Sequence, residues 1–490
     1  MPSGIQAVSP GLRAGVASHI VSSKRTQPDA GSILPPVFEP GEFSIAGRVA
    51  IPADADWDQA RAAWNLAADQ RPKAVAFAES AADVQEIVRF AADRGLRVAP
   101  QGTGHGATSI ESLEGAVLLK TERMRGIDVD VEAGSVRVEA GVLAAELGVR
   151  VGEHGLCSLP GSSPDVGVVG YTVGGGLSWL GRRYGFACNR VLEIELVTAA
   201  GEALTADAER DPDLFWALRG GGGGFGVITA LRLDLVPVET VYAGALLFPA
   251  SVGAAGVRAY RDWAADLPDH VTSIVRFLTV PDIPQAPEAL RGQSLLTIDA
   301  ACIGGEEEGR AIIDPLRGIA TPLMDTFAQI PTARLCEIHM DAPEPVPGIG
   351  EGQLISDLPD EAIDAFVGVA GPGSGSPLLL SELRQLGGAL GRPAEGSGAL
   401  SHLDAGFAMF SVGMPMTPEL GEAISSHLQL LEDTMRPWAA DGSYFNFDES
   451  PCDVDSILPA DVCAKLAEVK RSRDPEGRIL ANHGVAAAST

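Results

Sequence analysis

The sequence predicts an α+β fold with several packed units in one chain of 490 residues. The first observation is a strand, a helix and a second strand between residues 74 and 100, which lead directly into the glycine-rich segment QGTGHG at 101–106. The second is a series of short strands that continues to about residue 235. The third is a change near Tyr242 to longer alternations of strand and helix. A strand–helix–strand unit that opens into a glycine loop is typical of α/β nucleotide sites, and a chain of this length can form two or three cores.

Local signals support the individual elements. Ser80 is a suitable N-cap for a helix whose apolar residues recur at helical spacing, and Gly95 can end that helix in a left-handed conformation. Alternation of apolar and polar residues indicates strands, and Gly134 lies in the turn of a predicted hairpin. The elements predicted are helices at 56–68, 144–152, 211–218 and 460–473 and strands at 74–78, 96–100, 115–121, 127–131, 135–140, 192–196, 227–235 and 444–447.

Composition and charge exclude several classes of function. Hydrophobic residues make up 46% and charged residues 21%, which is ordinary for a globular protein. The net charge of −29 disfavours nucleic acid and anionic membrane surfaces as partners. We find no apolar run near the ~20 residues of a membrane span and no secretory signal. The six cysteines contain no C-x-x-C pair, so reduced thiols and a cytoplasmic location are expected, and the histidines lack the spacing of metal ligands, so no metal is expected.

Three glycine clusters, at 101–106, 167–176 and 220–226, indicate a bulky nucleotide ligand. Closely spaced glycines allow backbone N–H groups to approach a diphosphate without a Cβ in the way. A P-loop pattern is absent, and no clean G-x-G-x-x-G follows the first strand, so neither a P-loop protein nor a plain NAD-binding Rossmann domain fits well.

Several sequence blocks resemble the berberine bridge enzyme-like branch of the vanillyl-alcohol oxidase superfamily, whose members have a PCMH-type FAD-binding domain. The blocks lie in the family's order between about Trp64 and His483. They are RPKAVAF at 71–77, QGTGHG at 101–106, SPDVGVVGYTVGGG at 163–176, RRYG at 182–185, DPDLFWALRGGGGGFG at 211–226, YFNF at 444–447 and DPEGRILANH at 474–483.

The resemblance implies a specific architecture. Residues 37–240 would form an FAD-binding domain of two subdomains, and 241–435 would form an inserted substrate domain with an antiparallel sheet backed by helices. Residues 436–490 would return to the FAD domain, and 1–36 would be a poorly ordered extension.

The resemblance also implies FAD as the cofactor, bonded through its 8α-methyl group to His105. Relatives that form a second bond use a cysteine where this chain has Ser163, so a single covalent link is expected. Val166 corresponds to the position that controls dioxygen access in relatives. The residues expected to contact FAD are His105, Gln101, Gly102, Thr103, Gly104, Gly106, Ser163, Val166, Gly167, Gly170, Gly174, Gly175, Gly226, Val227, Asn446 and Asn482.

Two residues are candidates for catalysis. Tyr444 matches the tyrosine of the family's Y-x-N motif and is the first candidate for the base that takes the substrate's proton. A free phenol titrates near ~10, so this role needs a neighbouring positive charge or hydrogen-bond donor. His402 corresponds to a family histidine on the sheet that faces the cofactor, although the arginine that follows it in relatives is Leu403 here. Both residues have an alternative interpretation as packed structural side chains.

The resulting prediction is an oxidase that moves a hydride from an alcohol carbon of a sugar or natural product to FAD, with O2 as the electron acceptor. A flavin dehydrogenase with another acceptor, a redox-neutral cyclase or isomerase, and a non-catalytic small-molecule binder remain as alternatives. The composition, rich in Ala and Gly, is typical of bacterial proteins, and specialised metabolism is the expected setting. The resemblance also allows an amine-adjacent carbon of an alkaloid-like molecule as the hydride donor. The sequence leaves the substrate and the oligomeric state open.

Overall fold

The described residues form three β-sheets, and a large cavity lies where they meet. The computed structural model describes residues 45–282, 288–342 and 344–485. The predicted N-terminal extension therefore lies outside the described residues. A mixed fold of helices and several sheets is confirmed.

The first sheet has four strands in the order β1-β2-β4-β3, with parallel pairing except between β1 and β2. Its elements are β1 (Arg48–Ala50), α1 (Trp57–Arg61), β2 (Ala74–Phe77), α2 (Ala81–Asp93), β3 (Arg97–Gln101) and β4 (Ala116–Lys120). The side chain of Ser80 accepts a hydrogen bond from the N–H of Asp83 and so caps α2, while Gly95 adopts φ +65° after its end. Both local signals read from the sequence are confirmed.

The second sheet has five antiparallel strands in the order β5-β6-β9-β7-β8. Its elements are β5 (Ile127–Asp130), β6 (Ser135–Glu139), α3 (Ala144–Gly152), α4 (Val168–Val173), α5 (Gly181–Tyr184), β7 (Val191–Val197), β8 (Ala203–Ala206), α6 (Pro212–Ala217) and β9 (Val227–Asp234). Phe225 and Leu231 belong to the core of this sheet, together with Leu466 from the C-terminal helix.

The third sheet begins at Thr240, next to the boundary predicted at 240/241. Seven antiparallel strands follow the order β13-β10-β12-β11-β16-β17-β15, and β14 also pairs with β10. The elements are β10 (Thr240–Pro249), α7 (Gly253–Ala265), β11 (Val271–Thr279), β12 (Ser294–Ile303), α8 (Glu306–Arg317), β13 (Met324–Asp325), β14 (Ala328–Pro331), β15 (Ile349–Ile355), α9 (Asp360–Ala370), β16 (Leu380–Gln385), β17 (Phe407–Gly413) and α10 (Pro418–Met435).

Strand alternation divides the third sheet into two faces. Val275 of β11, Leu383 of β16 and Met409 of β17 pack in one core cluster with Phe366 of α9 and Ile424 of α10. Residues between them in β16 and β17, such as Arg384 and Phe410, point the other way and line the cavity. The helices therefore cover one face of this sheet and leave the opposite face available for a site.

The C-terminal segment contains α11 (Ala460–Arg473) and then returns to the first sheet. The N–H of Leu480 donates to the carbonyl of Val98 in β3 at 2.8 Å. Lys470 is buried and donates to the carbonyls of Gly224 and Ile479 and to Asp474. These bonds join the segment to the third glycine cluster. Among the described residues, no helix has the length and apolar character that crossing a membrane requires.

Two local predictions are wrong. The helix expected over 56–68 ends at Arg61, because the chain turns so that Trp64 N–H donates to the carbonyl of Thr103 at 3.0 Å. The strand expected at 444–447 is a turn, closed by a 2.8 Å bond from Phe447 N–H to the carbonyl of Tyr444. In both places a contact between distant segments, or a tight local turn, replaces the element that periodicity favoured.

Candidate flavin site

A cavity of about 500 Å³ lies between the glycine clusters and the free face of the third sheet. This volume is within the range of small-molecule and cofactor sites. Its wall on the side of the first two sheets includes all three glycine clusters. The opposite wall includes Leu380 and Arg384 of β16 and Phe410 and Val412 of β17, and the turn at 444–447 forms a further part.

The first glycine cluster forms an open cradle of backbone donors. The N–H groups of Thr103, Gly104 and His105 donate to no acceptor among the described residues. Gly104 has φ +88°, and a Cβ there would lie 2.8 Å from the Ala63 side chain, so only glycine fits this close turn. The Nε2 atom of Gln101 is buried at the same wall and has no partner in the described part of the chain. Free backbone donors beside an amide nitrogen that lacks a partner are suited to an anionic group such as a diphosphate.

Glycines of the first and second clusters also fit closely against the C-terminal segment. A Cβ on Gly174 would lie 1.9 Å from Oδ1 of Asn446, and one on Gly106 would lie 2.5 Å from Nδ2 of Asn482. Asn482 donates to the carbonyl of Gly106 at 2.7 Å. These glycines allow two amide side chains from the end of the chain to reach the cavity wall. The cradle and these polar groups together fit a dinucleotide such as FAD.

His105 lies in a small cluster with Trp64 and Asp165. Its ring stacks on the indole of Trp64, with centroids 3.9 Å apart and planes 19° apart. Its Nε2 atom lies 3.4 Å from Oδ1 of Asp165. Asp165 also accepts hydrogen bonds from the indole N–H of Trp64 and, at 2.9 Å, from the hydroxyl of Ser163. Burial raises the pKa of Asp165, but the His105, Ser163 and Trp64 contacts outweigh burial and hold it below its usual range.

Tyr444 is buried at the cavity wall with its hydroxyl oxygen between two donors. The backbone N–H of Leu177 donates to this oxygen at 2.8 Å, and Nδ2 of Asn446 donates at 3.2 Å. Asn446 is fixed in turn by a 3.0 Å bond to the carbonyl of Tyr171. Burial raises the pKa of Tyr444, and the two hydrogen bonds oppose that shift without cancelling it. The site therefore has donors suited to a phenolate but keeps the phenol protonated at neutral pH.

The free face of the third sheet carries a buried network of charged side chains. Arg276 of β11 and Glu382 of β16 are direct partners in the sheet register. His339, from the segment after β14, contacts Glu382 through Nε2 at 2.8 Å and Asp341 through Nδ1 at 2.5 Å. Arg384 contacts Glu382 at 2.5 Å. His339, Asp341 and Arg384 line the cavity, so the network forms a polar patch in its wall.

Electrostatics favour the charged forms of this network. Burial raises the pKa of Glu382, but Arg384 and His339 outweigh burial and lower it. Burial and the nearby Arg276 lower the pKa of His339, but Asp341 and Glu382 outweigh both and raise it. A buried charge is tolerated only when it is paired in this way. Arg276 forms a further buried ion pair with Asp299 at 3.0 Å.

A second acidic group lies at the end of the 444–447 turn. Asp448 and Glu449 line the cavity, and each has a carboxylate oxygen that is buried without a partner among the described residues. Burial raises the pKa of each to about 7, and the nearby Glu351 adds to the shift. These two carboxyl groups therefore titrate near neutral pH.

The predicted cofactor residues converge on this cavity with two exceptions. Gln101, Gly102, Thr103, Gly104, His105, Gly106, Ser163, Val166, Gly167, Gly170, Gly174, Gly226, Asn446 and Asn482 line it. Gly175 lies behind the wall, where its φ of +123° lets the backbone pass close to Tyr444. Val227 is fully buried at the start of β9.

The two predicted catalytic residues are placed differently. Tyr444 lines the cavity, whereas His402 does not. His402 lies in the loop between β16 and β17, and the buried neighbours Leu400 and Leu403 hold that loop. The side chain of Asn189 donates to the carbonyl of Leu400 at 3.0 Å and fixes the loop further. The resemblance suggested that this histidine lies on the sheet that faces the cavity, and the structure places it in a loop instead.

Sequence reasoning missed Asp165, His339, Asp341, Glu382 and Arg384. Asp165 lies inside the SPDVG block, where a charged residue beside the expected flavin bond is a signal present in the sequence. The alternating charges Glu382 and Arg384 in a short apolar strand were a second available signal. No local pattern marks His339 or Asp341.

Comparisons with known proteins agree with a flavin site. Residues 72–207 match a family model described as an FAD binding domain. The chain is 28% identical over 458 residues to (R)-6-hydroxynicotine oxidase of Paenarthrobacter nicotinovorans, covering 90% of this chain and 97% of that protein.

Two solved structures share the fold. BBE-like 1 of Physcomitrella patens superposes with a TM-score of 0.79 at 19% identity, covering 91% of this chain and 98% of that chain. Glucooligosaccharide oxidase of Acremonium strictum, which holds a 6-S-cysteinyl, 8α-N1-histidyl FAD, has a TM-score of 0.74 at 20% identity, covering 90% and 97%. Residues 72–207 therefore match an FAD-binding domain, and the chain is an FAD-binding oxidoreductase that is similar to these oxidases and shares the fold of the berberine bridge enzyme-like protein.

Proposed function

We propose that this enzyme is an oxidase that moves a hydride from an alcohol carbon to FAD, which is held by one covalent bond to His105 and is reoxidised by O2. Residues 37–240 would bind FAD and residues 241–435 would bind the substrate, with 436–490 completing the flavin site. The observation that carries the proposal is one cavity lined both by the glycine clusters with His105 and by Tyr444 with Asn446. The bound flavin would accept the hydride, so the protein must orient the donor carbon and remove a proton.

Tyr444 is the proposed proton acceptor. The N–H of Leu177 and the amide of Asn446 already point at its oxygen and would stabilise the negative charge that remains after the phenol loses its own proton. Arg384, at the opposite wall, also lowers the pKa of Tyr444, although less than these hydrogen bonds. Because burial keeps the pKa of Tyr444 raised, we expect the rate of flavin reduction to increase toward alkaline pH.

The charged patch on the third sheet is a second candidate for the proton acceptor. The Asp341 carboxylate lines the cavity and is bonded to His339, so a proton taken there could be shared along the contact. The lowered pKa of Asp341, where the His339 contact outweighs burial, makes it a weaker base than an ordinary carboxylate. Because of this low basicity, Asp341 is the second candidate for the proton acceptor, after Tyr444.

The chemistry of the residues at the site supports a single covalent bond. Ser163 lies where the resemblance places the second attachment residue, and its hydroxyl is engaged with Asp165. Glucooligosaccharide oxidase, which carries both a cysteinyl and a histidyl bond, shows that this fold can hold a histidyl flavin. The QGTGHG block places His105 at the position of the flavin-linked histidine in relatives.

Two measurements test the proposal. Acid precipitation of the purified protein should leave the yellow colour in the pellet, whereas His105→Ala should release FAD and Ser163→Ala should retain it. Anaerobic incubation with a panel of alcohols, sugars and amines should bleach the flavin with an alcohol, and admitting air should restore the colour rapidly. Slow reoxidation indicates a dehydrogenase, and turnover without bleaching indicates redox-neutral chemistry.

A further inference from the structure

Asp165 occupies an unusual position behind the histidine that is proposed to bind the flavin. His105 lines the cavity, whereas Asp165 is not among the residues that line it. The two side chains are about equally shielded, at 23% and 21% exposure, and Nε2 of His105 faces Oδ1 of Asp165 at 3.4 Å. Nε2 is buried and makes no regular hydrogen bond among the described residues, and the Asp165 carboxylate 3.4 Å away is the acceptor that it faces.

The carboxylate is held in place by other groups. The indole N–H of Trp64 donates to one oxygen of Asp165, and the hydroxyl of Ser163 donates to the other at 2.9 Å. Trp64 also stacks on the imidazole, so one side chain fixes both members of the pair. The arrangement resembles the support of metal-binding histidines, in which a carboxylate bonded to one ring nitrogen sets the tautomer and orients the other nitrogen.

We propose that Asp165 is a positioning residue for attachment of the flavin: it holds the Nε2–H of His105 so that Nδ1 is the free nucleophilic atom. This inference rests on the histidyl bond proposed above. The Asp165 carboxylate also stabilises the positive charge that the ring gains when Nδ1 forms a bond to carbon. Asp165 acts through His105 and makes no contact with the reacting carbon.

Dioxygen is the oxidant in the attachment reaction. One C–H bond of the flavin 8α-methyl group is replaced by a C–N bond to His105. The methyl group loses one proton, the imidazolium loses another, and two electrons pass into the flavin ring. Dioxygen then takes these two electrons with two protons and leaves as hydrogen peroxide, which returns the attached flavin to its oxidised form.

The test compares Asp165→Asn and Asp165→Leu with the wild type. Asparagine keeps the shape and one acceptor oxygen but removes the charge, whereas leucine removes both. Asp128→Asn serves as the matched control, because it makes the same charge change at an exposed site on β5. Each purified protein is incubated with FAD in air, and the acid-stable fraction of flavin is followed over time.

We expect the wild type and Asp128→Asn to attach flavin at the same rate. Asp165→Asn should attach it more slowly by about 10- to 100-fold, the range typical of losing the outer partner of a metal-binding histidine. Asp165→Leu should be at least as slow and should give a mixture of Nδ1- and Nε2-linked flavin, distinguished by NMR of the flavin peptide. A purely structural role for Asp165 would not change which nitrogen is linked.

The outcomes separate the two proposals. If the wild type contains no acid-stable flavin, the histidyl bond and the role of Asp165 are both overturned. If the wild type is linked but both Asp165 variants attach flavin at the wild-type rate and through the same nitrogen, only the role of Asp165 is overturned. Asp165→Asn preserves the side-chain shape, so this comparison remains available if Asp165→Leu fails to fold.

Discussion

The amide of Asn446 donates a hydrogen bond to the phenolic oxygen of Tyr444 from only two residues away in the same turn. The amide is itself fixed by the carbonyl of Tyr171, so its direction toward the phenol is determined by the glycine-rich wall of the cavity. A hydrogen bond to the charged form of a side chain favours that form. This pair therefore defines the most direct test of the proposed chemistry.

Replacing Tyr444 with phenylalanine should slow flavin reduction by about 10² or more, the lower end of the usual effect of losing a positioned base. The ring contacts with Phe186 and Phe447 remain, so structural damage should be small. Stopped-flow absorbance under anaerobic conditions measures the rate, and substrate binding should hardly change. The increase of the rate toward alkaline pH should disappear. Flavin reduction at the wild-type rate would assign the proton to Asp341 and His339 instead.

Replacing Val166 with leucine should slow reoxidation of the reduced flavin. Val166 lines the cavity, and the added methylene would occupy space beside the proposed flavin site at little cost in stability. A tenfold slower reaction with O2 requires only about 1.4 kcal/mol in the barrier. Mixing the reduced enzyme with aerated buffer measures this rate, and Val166→Ala is the matched variant of smaller volume. Equal reoxidation rates in all three proteins would exclude a gate at this position.

Replacing His339 with glutamine should destabilise the protein by about 3–5 kcal/mol, because Glu382 and Asp341 then lose a buried positive partner. The thermal midpoint should fall, and the double variant His339→Gln with Glu382→Gln should recover part of the loss. Because the pKa of His339 is raised in the folded protein, protonated His339 stabilises the fold at pH values below its unfolded pKa. This stabilisation is lost as pH rises through the folded pKa. A midpoint that does not change would show that the network contributes little.

Replacing Glu449 with glutamine should stabilise the protein at pH 8 but not at pH 4. Burial raises the pKa of this carboxyl group to about 7, above its unfolded value near 4.5. When the pKa of a carboxyl group is raised by folding, the protein is most stable at pH values below the unfolded pKa. That stability is lost as pH rises through the folded pKa. We expect the thermal midpoint to rise by about 2 °C at pH 8. Glu395→Gln, at an exposed position, is the control and should give the same shift at both pH values.

Much of the local structure could be predicted because its causes lie within a few residues. The cap at Ser80, the left-handed Gly95 and the hairpin at 127–140 each depend on neighbours in sequence. The turn at 444–447 was missed because alternating aromatic residues also suit a strand. Its actual shape depends on Asn446 reaching Tyr171 across the fold.

The sequence by itself determined the glycine clusters, the FAD-binding blocks and the histidine placed among them, since these are properties of short segments. Only the tertiary structure decided which side chains meet at the cavity. Asp165 reaches His105 from 60 residues away, and Tyr444 meets the N–H of Leu177 across 267 residues. His339 joins Glu382 because a loop folds over the free face of the third sheet. Such pairs depend on how sheets pack against one another, and no periodicity within a segment records that packing.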